Sequence, residues 1–193
     1  NGEKIYNSIR DIRKRIVYRR GNNLVMKLLV TNFVTGCAMI VKKQIALKSI
    51  PFAKTMVHDN WIAVVAALNG KIDYVDKRLV RYRQHSNNQT GILKDVYDKK
   101  TYFDIKIIDM IERYKELEFK MLNNKEVMPY ITYCLKSLDI RKQYFLKPSI
   151  NGIINMLRYS MYYKMSILLE LFIPIMPEFI FKFIIRLAKK GIL

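Results

Sequence analysis

Asn32-Phe33-Val34-Thr35-Gly36-Cys37-Ala38-Met39-Ile40-Val41 is the stretch on which the reading of the fold turns. From Val34 to Val41 it is an apolar run of strand length, broken only by Thr35 and Gly36. A run of that kind suits a strand buried on both faces. Gly36, near its start, fits a point where backbone closely approaches a ligand or another chain, or else a bulge or turn.

Working outward, two further polar clusters follow: His58-Asp59-Asn60-Trp61 and Tyr82-Arg83-Gln84-His85-Ser86-Asn87-Asn88. They hold both histidines and the sole tryptophan. Asp59 ends an acid-free tract, Ile12 to His58, that carries ten Lys or Arg. A lone carboxylate in such a basic setting is negatively charged at neutral pH and is felt by any anion that binds nearby. Asp59 also falls in the first turn of an expected helix, Asp59 to Leu68, stopped by Asn69-Gly70. There a carboxylate can instead serve only to cap backbone N–H groups.

Between these clusters, Lys42 to Ser49 reads as a short helix ended by Ile50-Pro51. Lys71 to Asp76 and Leu79 to His85 read as strands. Alternation along the second puts Val80 and Tyr82 on one side and Arg81, Arg83 and His85 on the other. Two guanidinium groups and an imidazole on one face form an anion site, and the imidazole can also take a metal. The competing reading is a solvated basic edge strand. Upstream, Asn1-Gly2 reads as a turn, residues 10–20 as a basic helix, and Leu24 to Val30 as a further apolar periodic segment.

Beyond Gly91 the pattern is helical. Phe103, Ile107, Ile111, Tyr114, Leu117 and Met121 recur at three-to-four spacing, and a second helix starts near Pro129 and runs to about Phe145. The apolar tract Ile167–Met176 is interrupted by Glu170 and Pro174, short of the ~20 clean residues a spanning helix needs. After Pro177, Glu178, Lys182, Arg186 and Lys189-Lys190 share one side of a helix whose remainder is apolar. That pattern suits a helix lying in a membrane interface, or one packed on a partner.

The 193 residues are 51% hydrophobic, which supports a sizeable core and excludes a disordered composition. The net charge of +19 implies an anionic partner: nucleic acid, a phosphorylated substrate or an acidic membrane. Cys37 and Cys134 are far apart in apolar surroundings and read as small buried residues in a reducing compartment, not as a disulfide or metal pair. With no secretory signal and an opening Asn1-Gly2-Glu3-Lys4, the chain is expected to be the later part of something longer.

The run Asn32–Met39, followed by His58-Asp59-Asn60-Trp61 and then Tyr82–Asn88, with Asn69-Gly70-Lys71-Ile72 and Gly91 between and after, resembles family-2 glycosyltransferases of the GT-A fold. Within them it is most similar to the bacterial rhamnosyltransferase-like branch. The resemblance covers residues 1–91. It implies an α/β fold, the C-terminal part of a GT-A nucleotide-diphospho-sugar transferase followed by an α-helical extension. The corresponding domains are residues 1–91, a helical extension over 92–147, and an amphipathic membrane-associated tail over 148–193.

The resemblance also implies roles. Gly36 and Cys37 would line the donor-sugar and acceptor site, with His58 and Trp61 on the acceptor side. Asp59 would be the catalytic base of an inverting enzyme. Arg81 and Arg83 would neutralise the departing diphosphate, and His85 would help hold a divalent metal, Mg2+ or Mn2+. Partners would be a nucleotide-diphospho-sugar donor, a saccharide or lipid-linked acceptor, and an acidic membrane surface, with no nucleic acid. The setting would be cell-surface polysaccharide synthesis at the cytoplasmic face of the membrane. The family's Asp-x-Asp metal motif is absent from this sequence, and Asp73 and Asp76 are wrongly spaced for it. The chain alone is therefore expected to bind nucleotide sugar weakly and to turn over nothing. Two alternatives are a non-catalytic basic membrane-bound interaction protein and a nucleic-acid-binding protein that uses Arg10–Arg20 to track phosphates.

Overall fold

The structure, a computed structural model, describes residues 3–8, 11, 17–83, 93–162 and 164–189, and these form helices and connecting segments. Among the described residues there is no β-strand; the pairing consists of one isolated antiparallel bridge, Gly21 with Ile72. The α/β fold with a GT-A sheet core is therefore overturned. The chain divides into two units, Asn1–Asn88 and Gln89–Leu193.

In the first unit the expected strand Val34–Val41 is broken at its third residue. Gly36–Ala38 form a 3-10 turn, closed by Ala38 N–H donating to the Thr35 carbonyl at 2.9 Å. Ile40, expected at the heart of a doubly buried strand, is fully exposed at 102%. An apolar run becomes a buried strand only with neighbours on both edges and both faces, and the described residues provide none. The same holds for residues 79–83: Val80 and Tyr82 are exposed along with Arg81 and Arg83, so alternation separates no inside from an outside. Lys71–Asp76 contributes the bridge alone, through Gly21 N–H to the Ile72 carbonyl (2.8 Å) and its reciprocal (3.0 Å). Gly21 sits at φ 112°, where side chains are strained. The turn at Asn1-Gly2, most of the basic helix over 10–20, and the loop Ser86–Gln89 lie outside the described residues.

The helices of this unit follow the sequence pattern. Helix α1 spans Val25–Val30, α2 spans Lys43–Lys48 and α3 spans His58–Leu68. Helix α3 is short-side-chained at Ala63 and Ala67 and packs on α1, where Leu28 and Leu29 are buried. Leu28 and Val64 are completely buried, each contributing roughly 1.5–3 kcal/mol. Asn69 terminates α3: its side-chain amide donates to the Val65 carbonyl at 2.8 Å and its oxygen accepts from Lys48 Nζ at 2.7 Å.

The second unit is a helical assembly. Helix α4, Lys99–Phe103, begins with a reciprocal capping box between Asp98 and Thr101. A wide π-helical turn, Asp104–Ile108, joins it to α5, Asp109–Lys120. Helix α6 spans Met128–Leu146 with Pro129 in its first turn, followed by α7 (Ile150–Arg158), α8 (Lys164–Glu170) and α9 (Glu178–Lys189). Tyr114, Ile107, Leu117, Ile131 and Cys134 are buried inside it. Cys37, by contrast, is exposed, so only Cys134 is the buried residue expected of both.

A buried ion pair ties α8 to α6. Glu170 takes a two-pronged grip from Arg141, Nε to Oε2 at 2.6 Å and Nη2 to Oε1 at 2.5 Å, and Tyr102 donates its hydroxyl to Oε1 at 2.8 Å. Arg141 and Glu170 are 7% and 2% exposed. Burial pushes the Tyr102 hydroxyl far above the ordinary tyrosine range, with Glu170 adding to the effect. Lys106, in the wide turn, is held below the usual lysine range by burial, against the pull of Glu170. No helix among the described residues is long and apolar enough to cross a membrane.

Candidate functional site

The site begins with the junction between α1 and α3. Thr31 leaves α1 in extended conformation, and Asn32 then folds its side chain back so that its Oδ1 accepts from Val34 N–H at 2.9 Å. This Asx-type turn fixes the amide, and its Nδ2 donates to Asp59 Oδ1 at 3.2 Å. One turn of chain later, Gly36 N–H donates to Asp59 Oδ2 at 2.9 Å. Both carboxylate oxygens are thus held from outside their own helix.

Asp59 does not cap α3. Val57 is the residue preceding the helix, no side-chain cap bond forms there, and the Asp59 carboxylate turns to the Gly36 loop instead. The local helix dipole still favours the negative charge in this first turn. Asp59 is half-buried and His58 exposed. A Cβ built on Gly36 would stand 3.2 Å from His58 Nε2, 3.3 Å from Asp59 Cβ and 3.4 Å from Asp59 Oδ2. Gly36, His58 and Asp59 are therefore in mutual contact range, and glycine is what lets the loop backbone approach the carboxylate.

Of the other expected site residues, Cys37 lies exposed in the same 3-10 turn. Trp61 is 6% exposed, and its indole N–H donates to the Ser49 carbonyl at 2.8 Å, joining α3 to the end of α2. Its part is to hold α3 in place beneath the carboxylate. Arg81 and Arg83 are exposed on a segment without regular secondary structure, and His85 lies outside the described residues. Asn32 is the residue that sequence reasoning missed. Its signal was present in Asn32-Phe33-Val34, an Asx turn at the end of an apolar helix.

Chemically, the arrangement is a carboxylate oriented by two donors, with lone pairs left to accept a proton or a hydroxyl, beside an exposed imidazole. Among the described residues no group of three His, Cys, Asp or Glu converges that could hold a divalent metal. Comparison with protein-family models, with curated proteins and with solved structures finds no match to this chain.

Proposed function

We propose that this chain carries the acceptor-side general base of a glycosyltransferase that uses a nucleotide-diphospho-sugar, with Asp59 as that base. The observation that supports the reading is the pair of hydrogen bonds from Gly36 N–H and Asn32 Nδ2 to the two oxygens of one half-buried carboxylate. A general base must be held still and must keep free lone pairs, and Asp59 meets both conditions. The order of the Gly36, Asp59 and Tyr82–Asn88 segments adds the likeness to family-2 glycosyltransferases.

In the proposed reaction an acceptor hydroxyl sits against Asp59. Its oxygen bonds to the anomeric carbon while its proton passes to the carboxylate. The bond from that carbon to the diphosphate oxygen breaks on the opposite side, and the nucleoside diphosphate leaves with both electrons. The anomeric configuration inverts. Arg81 and Arg83 are assigned to the developing negative charge on the leaving diphosphate. His58 borders the acceptor position. Rhamnose is the first donor sugar to try, with a saccharide or lipid-linked acceptor.

The test is sugar transfer by the full-length protein, followed by nucleoside diphosphate release over a panel of nucleotide sugars. Acceptor-dependent release that Asp59→Asn abolishes supports the reading. Membrane or partner binding with no release by either protein points to a non-catalytic interaction protein.

A further inference from the structure

Helix α9 presents three sectors. Phe181 and Ile185 are buried against Val96 and Ile173. Lys182, Arg186 and Lys189, spaced four and three residues apart, are exposed along a second sector. Phe179 and Phe183, one turn apart, fill a third and are 73% and 60% exposed. Between the cationic sector and the segment before α4 lies a cavity of about 200 Å³, lined by Val96, Tyr97, Lys182, Ile185, Arg186 and Lys189. Lys189 Nζ stands 4.4 Å from the centre of the Tyr97 ring, so the wall of the cavity holds one of its cations in position. Asp98 feels the charge of Lys182, and its Oδ1 accepts from the N–H and hydroxyl of Thr101.

We propose that this cavity is a phosphate pocket for the headgroup of an anionic membrane lipid, with Phe179 and Phe183 inserted among the acyl chains beside it. Charge complementarity selects the occupant: three cations converge on an apolar-floored cavity in a chain of net charge +19. The neighbouring aromatic side chains select a lipid over a free anion, because a soluble phosphate has nothing to offer them. The same pattern extends upstream: α7 leaves Ile150, Ile154 and Leu157 exposed on one stripe, and Phe172 and Phe179 continue the apolar exposure. The inference is independent of the transferase reading.

The experiment is flotation of the full chain with phosphatidylcholine vesicles, with and without about a third phosphatidylglycerol. The chain floats with the anionic vesicles and stays behind with the neutral ones. Lys182→Gln/Arg186→Gln/Lys189→Gln lowers the partition coefficient about a hundredfold, from roughly fivefold per basic residue at the surface. Phe179→Ser/Phe183→Ser lowers it about tenfold or more. The charge-preserving Lys182→Arg/Arg186→Lys/Lys189→Arg keeps flotation, which separates loss of charge from loss of fold. Neutralising the exposed Lys115, Lys125 and Lys147 removes as much charge from the same unit and leaves binding within a few fold. An equal loss in that control overturns the pocket in favour of diffuse attraction. Equal flotation with neutral vesicles, or saturable binding of inorganic phosphate without flotation, overturns it as well.

Discussion

Replacing Glu170 by Gln tests the buried centre of the second unit most severely. The substitution keeps the shape and removes the charge. It takes away the carboxylate charge that faces the Arg141 guanidinium, 7% exposed. One amide oxygen must then serve both Arg141 and Tyr102, which now share Oε1 at 2.5 and 2.8 Å. Breaking a buried pair from one side costs about 3–5 kcal/mol, because an uncompensated charge stays inside. The Lys106 carbonyl, 3.5 Å from Arg141 Nη2, is too distant to make up the loss. For a chain of this length each kcal/mol moves Tm by ~2–4 °C, so a fall of about 6–20 °C is expected. Far-UV circular dichroism on heating reads it, since both α6 and α8 depend on the pair. The control is the triple variant Arg141→Met/Glu170→Leu/Tyr102→Phe, which removes every member together and returns to within about 1 kcal/mol of the parent. A shift below ~3 °C for Glu170→Gln would refute the reasoning, because it would mean the pair is reached by water.

Two further perturbations address the other parts of the molecule. Gly36→Ala places a methyl 3.2–3.4 Å from His58 and Asp59; it costs about 1 kcal/mol after the gain in chain stiffness is set against the crowding, and it displaces the Asp59 carboxylate from Gly36 N–H. Urea unfolding together with the Gly36 amide shift checks this, and an unchanged shift contradicts the close approach. Alkaline pH tests Tyr102: its folded-state ionisation is raised, so stability present below about pH 10 is lost as pH rises above it, by up to ~1.4 kcal/mol per pH unit. Tyr102→Phe removes that part of the slope, and an identical slope in the variant would show that the hydroxyl is not buried as described.

The helices were legible because their ends carry chemistry. Pro51, Asn69-Gly70, Pro129 and Pro177 mark boundaries that the chain obeys within a residue or two. Asp59 stood out in the sequence from its isolation among cations, but its bonding to the Gly36 loop in place of capping its own helix was not legible. The sheet was misread because a short apolar run says nothing about its neighbours: Val34–Val41 has the composition of a buried strand, yet Ile40 faces solvent. The inward packing of Trp61 was not legible for a related reason, since an aromatic beside a carboxylate looks the same in sequence whether it faces a pocket or the core. The Arg141–Glu170 pair joins residues 29 apart, and no local pattern announces such a meeting. The wide turn at Asp104–Ile108 is equally silent, because one extra residue per turn leaves the three-to-four apolar spacing intact.

The most direct measurement is kcat and acceptor affinity for Asp59→Asn beside the parent, in the full-length protein with a nucleotide-sugar donor. Asparagine keeps an oxygen for Gly36 N–H and loses the basic carboxylate, so binding and turnover separate. A general base at this position predicts a fall in kcat of about 10²–10⁴ with acceptor affinity nearly unchanged. A variant that transfers sugar at the parent's rate would contradict the account.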